Sequence, residues 1–292
     1  MNRLAATACV LFGGTLMSFI GLLLRMMEQA DGIQVLIVRS SALILMVWTF
    51  ACISRKVTPM AVVRAIDHID WIVGALLAVA FSFYVYAILN TNVASALFIL
   101  SSSPIFAVVL GWLMAGEKPS RVTLVAIALA VVGVAVMVYD GFETGGVLGN
   151  LYAMFSALCF AIMLVVIRKY GSDTRADGLG GTMLGGALAV LLNLVVALTY
   201  GKGLVMTPWD AGLSLIMGAF TIGLGISFVT LATSYLPASE VSILILIESV
   251  LAPVWVWLAL DETTSVSVLV GGAIVLIAVI LQASRGGVVK EA

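Results

Sequence analysis

The sequence predicts an all-α membrane protein of ten transmembrane helices arranged as two inverted five-helix repeats. Three observations carry that expectation: a composition too apolar for a water-soluble fold, a series of apolar runs each about one bilayer long, and an ungapped internal match between the two ends of the chain. Of 292 residues, 63% are hydrophobic and 10% charged, with a mean hydropathy of +1.22. Soluble domains are about half apolar and roughly a quarter charged. The net charge of -1 leaves no basic stripe to follow a phosphate backbone, so nucleic acid is not an expected partner. Cys9, Cys52 and Cys159 lie inside apolar runs rather than in clustered loops, and read as reduced, buried packing residues.

A helix needs about 20 apolar residues to cross the hydrocarbon core. Dividing the chain where charges, Gly, Pro or Asn interrupt such runs gives ten spans: 4–26, 33–53, 70–89, 93–115, 120–139, 147–167, 179–200, 210–234, 240–260 and 265–283. The first run follows a lone Arg3 but is longer than the roughly 7–15 residues of a secretory signal core. Connections are short except after Ser54 and after Arg168, and both of those are basic.

Orientation follows from the loop cations, which are retained on the cytoplasmic side. With the N-terminus inside, the cytoplasmic set is Arg3, Arg55, Lys56, Arg64, Lys118, Arg121, Arg168, Lys169, Arg175, Arg285 and Lys290, against Arg25, Arg39 and Lys202 outside. Both termini of this multi-pass protein are therefore expected in the cytoplasm. Trp71, Trp209, Tyr139 and Tyr200 fall at span ends, where amphipathic rings sit at headgroup level.

The stretch Pro104–Glu117 lies over Ser249–Glu262 without a gap at an offset of 145. Trp112 meets Trp257, Leu113 meets Leu258 and Glu117 meets Glu262, and the register continues through Ser120, Leu124, Val125, Ala128 and Val134. Trp and Glu are scarce here, so the repeat is real. It divides the chain into 1–141 and 142–292. Five spans per copy is an odd number, so the second copy is expected upside down relative to the first, the build of secondary transporters that expose one central site alternately to either side.

These motifs carry a resemblance. The Pro104 helix ending in Gly116-Glu117, the Glu248 and Ala252-Pro253 pattern before Glu262, and the Arg39-Ser40-Ser41 run resemble the drug/metabolite transporter superfamily in its ten-helix EamA branch, over the whole chain. Ser249 stands where the family often has the proline that Pro104 supplies in the first copy, so any kink in the ninth helix is expected to move toward Pro253. The resemblance implies a secondary exporter of metabolites, aromatic and other neutral amino acids among them, working without a cofactor as a monomer or weak dimer.

Few polar groups lie inside the spans. Glu248 is near a bilayer centre, where an ionised side chain costs roughly 3 kcal/mol or more. It either faces a cavity, binding a substrate ammonium or taking up a proton, or hydrogen-bonds its neighbours as a packing device. Ser101, Ser102 and Ser103 precede Pro104, so their hydroxyls either satisfy carbonyls freed by the proline or recognise a ligand. Three consecutive positions diverge around a helix, so at most two face one site; Ser102 and Ser103 are the candidates, with Ser103 favoured because it matches Glu248 in the repeat. Phe19, Phe81, Tyr84 and Phe160 are mid-span aromatics suited to an apolar pocket. Tyr84 and Ser82 stand out because polar groups in mid-helix need an interior partner.

Arg39 reads as paired with Glu28 or Asp31, or snorkelling to the outer interface, rather than as an anion site. His68, beside Asp67 and Asp70, reads as a solvated helix start, too few ligands for a metal. Gly180, Gly181, Gly185 and Gly186 give the seventh helix a small-residue face for packing within the bundle or for a dimer. A membrane-embedded enzyme is disfavoured: there is no HExxH, GxSxG or Walker loop, and no second histidine to act as base. A sensor or scaffold has no need of the inverted repeat. A sugar-nucleotide carrier needs several buried cations for phosphates, and the span interiors hold only Arg39. A multidrug or other-metabolite exporter is the alternative cargo reading.

Overall fold

The structure is a computed structural model, described over residues 1–91, 93–139, 146–170, 178–200, 203–260 and 265–285. Arg175, Lys202, Glu262 and Lys290 lie outside the described residues. Among the described residues there are helices and turns but no extended strand. The principal helices are α1 (Arg3–Arg25), α2 (Gly32–Arg55), α3 (His68–Asn90), α4 (Val93–Leu100 and Ser103–Ala115), α5 (Arg121–Met137), α6 (Val147–Tyr170), α7 (Leu179–Thr199), α8 (Pro208–Thr233), α9 (Ala238–Leu260) and α10 (Val266–Arg285). A short helix, Pro59–Arg64, joins α2 to α3. Nine of the ten are long and apolar enough to cross a bilayer. The exception is α5, whose 17 residues fall short of the about 20 that a full crossing takes.

Local chemistry accounts for the helix limits. Asp31 and Asp67 each close a capping box, with Gln34 and Asp70 reaching back to the cap backbone. Thr207 caps α8 ahead of Pro208, whose missing N–H is harmless in a first turn. Pro104 plays the same part where α4 restarts after Ser101 and Ser102. The ninth helix differs from expectation. Its interruption falls at Leu246, the repeat equivalent of Ser101, while Pro253 sits inside the continuous piece Ile247–Leu260. The break has kept its place in the register and is closed by short-range bonds, from Leu246 N–H to the Ile243 carbonyl and from Ser249 N–H to the Leu246 carbonyl.

Packing contacts order eight helices into a closed ring: α1, α8, α2, α7, α3, α6, α4, α9 and back to α1. The α5–α10 pair packs outside it, Gly271 lying against Gly133. Exchanging every helix for the one five places along reproduces the same ring and the same outer pair. Two glycines set its tightest approaches. Gly218 lets α8 lie on the backbone of α2 at Arg39, and Gly181 lets α7 lie on Val73 of α3. A side chain at either would collide with that neighbour, so Gly180, Gly181, Gly185 and Gly186 are occupied inside the bundle against α2 and α3.

Two further expectations are corrected. Asp70 is not solvated: it is 4% exposed and accepts the Gly181 N–H at 2.8 Å. The cysteines are unpaired but half-buried rather than fully buried. Trp71, Trp209, Tyr139 and Tyr200 stand exposed at helix ends, and the Trp209 ring N–H donates to the Met26 carbonyl at 3.0 Å.

Candidate functional site

Seven of the eight ring helices line a cavity of about 160 Å³. Each irregular stretch of helix borders it. The turn at Ser18–Phe19 divides α1 between Met17 and Ile20, the interruption of α4 presents Ser101 and Ser103, and that of α9 presents Leu246 and Glu248. A π-helical segment of α8, Met217–Leu224, contributes Ile222. Irregular backbone at membrane depth is tolerated where it is buried in protein or lines a cavity, because only there do its freed N–H and C=O groups find partners.

The structure brings together Tyr84, Ser103, Phe160 and Glu248, with Phe81 beside them. Ser103 and Glu248 come from equivalent positions of the two copies. Ser101 also lines the cavity, but its hydroxyl donates to the Phe98 carbonyl at 2.6 Å. The other three candidates do not line it. Ser102 turns its hydroxyl back onto the Ile99 carbonyl at 2.6 Å. Ser82, fully buried, accepts from Asn193 Nδ2 at 2.8 Å, and Tyr86 donates to Asn193 Oδ1 at 2.6 Å, so Ser82 belongs to an α3–α7 tie. Phe19 stacks on Trp255 with ring centroids 4.6 Å apart, while the Trp255 ring N–H donates to Ser18 Oγ at 2.7 Å, which joins α1 to α9.

Arg39 is the residue the sequence reading misplaced. It is 6% exposed and lines the cavity instead of reaching the interface. Its guanidinium lies 5.8 Å from the centroid of the Phe81 ring. Among the described residues neither expected partner forms an ion pair with it, and Asp31 caps α2 instead. Val35 and Leu43, one helical turn to either side of Arg39, are both buried, so that whole stripe of α2 faces inward. The cavity thus holds one cationic and one acidic side chain in walls otherwise apolar or hydroxylic. Among the described residues no ion pair joins Arg39 to Glu248. No cluster of metal-ligating side chains occurs among the described residues.

One end of the ring is closed below the cavity. All eight residues of Ala238–Ile245 are buried, whereas none of Ile247–Leu260 is. Charged groups tie that closed end: Arg3 to Glu240 at 3.1 Å, Arg168 Nε to Glu117 at 2.7 Å, and an Arg168 terminal N–H to the Ser234 carbonyl at 2.7 Å.

Bilayer-length helices in a ring, with their irregularities gathered on an internal polar-spotted cavity, define a multi-pass membrane transporter. The chain belongs to the EamA-like transporter family, whose sequence profile matches residues 4–139 and again residues 147–283. It is similar to a pseudopaline exporter, CntI, of Pseudomonas aeruginosa, 28% identical over 233 residues, spanning 78% of this chain and 76% of that protein. An uncharacterized transporter of Archaeoglobus fulgidus is 27% identical over 199 residues, 68% of this chain and 70% of that protein. A solved crystal structure shares the fold at a TM-score of 0.81 and 17% identity, covering 96% of this chain and 97% of that one.

Proposed function

We propose that this chain is a secondary transporter that exports neutral amino acids, aromatic ones among them, from the bacterial cytoplasm across the inner membrane by alternating access. The observation that carries the reading is the placement of Glu248 in an aromatic-lined cavity where α4 and α9 both break, at equivalent positions of two copies. A carboxylate there suits a substrate ammonium, and Phe81, Tyr84 and Phe160 suit an apolar side chain. Alternating access is supported by the ring's invariance under exchange of its first and last five helices, since two similar sets in opposite orientation can trade conformations around one site. In overall sequence the chain resembles YddG, an exporter of aromatic and other amino acids. The export direction agrees with the name of the Pseudomonas relative. The excess of cations in the loops on the side of both termini supports placing those termini in the cytoplasm.

The test is uptake of labelled phenylalanine, methionine and threonine into liposomes holding the purified protein, with and without an imposed pH gradient. Saturable uptake is expected, falling about tenfold or more in Glu248→Gln, which keeps the shape but removes the charge. Dependence on the gradient that is lost in Glu248→Gln would make Glu248 a proton carrier as well as a binding group. Absence of uptake for every amino acid would reject the cargo and turn the search to drugs and other metabolites.

A further inference from the structure

We infer that Arg39 selects the substrate by an anionic end: the cavity takes a molecule bearing a carboxylate, which Arg39 receives while Glu248 faces the opposite end of the same molecule. The inference rests on the amino-acid reading and sharpens it: an unmatched carboxylate can take up a proton whereas an arginine keeps its charge, so a ligand must answer Arg39 first, and the arrangement admits zwitterions and carboxylates and disfavours simple amines and cationic drugs.

Arg39 is nearly sealed from solvent at 6% exposure, yet it belongs to the cavity wall. Among the described residues neither a hydrogen bond nor an ion pair engages its guanidinium; its described contact is with the face of Phe81. The guanidinium N–H donors, which match a carboxylate two at a time, are therefore without an acceptor among the described residues. An arginine retained for packing is ordinarily paired with an acid, since desolvating an isolated cation is strongly unfavourable. The acid in the cavity wall is Glu248, and it does not pair with Arg39. Escape to the interface is not taken either, since the residue is buried and lines the cavity. A buried cation and a half-buried acid, both lining one cavity and not joined to each other, are complementary to a ligand with a negative and a positive end. Tyr84 and Ser103, on the same wall, supply neutral hydroxyls for either end.

The experiment compares three ligands of one skeleton on the full-length purified chain: phenylalanine, 3-phenylpropionate, which lacks the amine, and 2-phenylethylamine, which lacks the carboxylate. Binding is read by ligand-dependent thermal stabilisation and transport by uptake into liposomes. Wild type is expected to bind the two carboxylates at least about tenfold more tightly than the amine, the worth of one charge-assisted hydrogen bond. Arg39→Gln should lose that preference, and Arg39→Lys should restore part of it. If Arg39→Gln fails to fold, the wild-type ranking alone decides. Equal or tighter binding of the amine, no binding of either carboxylate, or an unchanged preference in folded Arg39→Gln overturns the inference. Arg39-dependent binding of 3-phenylpropionate without binding or transport of any amino acid would sustain the inference and overturn the amino-acid reading.

Discussion

Ser101 and Ser103 lie on one cavity wall two residues apart, and their hydroxyls are in different states. That of Ser101 is spent on the Phe98 carbonyl, whereas among the described residues that of Ser103 has no hydrogen-bond partner. Ser103→Ala is therefore expected to weaken substrate affinity about two- to tenfold, the range for one neutral hydrogen bond, with Ser101→Ala within about twofold of wild type. Affinities from competition of labelled phenylalanine uptake check this; a loss confined to Ser101→Ala would remove Ser103 from the site. Glu248 and Ser103 were legible in the sequence because a lone acid in an apolar run demands an interior position and the repeat pairs it with Ser103. Arg39 was not. Apolar residues surround α2 on every side, so periodicity gives no inward direction, and acids eight to eleven residues away looked like sufficient partners. Its direction follows from the packing of α2 between α7 and α8, both distant in the chain.

At the scale of elements, α3 and α8 each carry an aspartate at their third residue that clasps backbone amides of the other five-helix set. Asp70 accepts from Gly181 N–H at the start of α7. Asp210, fully buried, accepts from Glu28 and Gln29 N–H, ahead of α2, at 3.0 and 3.1 Å. Amide bonds to an ionised acceptor contribute about 1.5–3 kcal/mol each, and leaving the amides unpaired adds to the loss. Asp210→Ala is expected to lower stability by at least about 2 kcal/mol, measured as a reduced melting temperature in detergent. An unchanged melting temperature would show that water replaces the carboxylate. The clasps escaped the sequence reading because their donors lie 111 and 182 residues from the acceptors, and an aspartate opening a helix is adequately explained as a cap. The placement of the spans themselves was legible to within a few residues, since hydropathy, caps and prolines act locally.

For the whole molecule, the closed end depends on a small set of long-range ties. Arg168 holds Glu117, after α4, and the Ser234 carbonyl, after α8, in one grip. Arg168→Ala should loosen the buried segment Ala238–Ile245, raising its amide hydrogen exchange about three- to tenfold, because local opening follows the stability of the contacts that hold it. Unaltered exchange there would assign closure to apolar packing alone. The ring order was beyond the sequence, which shows that two copies exist and not how they interleave. That interleaving bears on how the protein is made. Each helix in the middle of a set packs between helices of the other: α3 between α6 and α7, α8 between α1 and α2. Domains of ordinary chains fold as units, the earlier one first, while synthesis continues. Here the first five helices emerge with α3 lacking both of its principal neighbours, and α1 and α2 can reach their final places only once α8 is available to stand between them. Membrane insertion proceeds helix by helix, but assembly waits until the ribosome has delivered most of the chain.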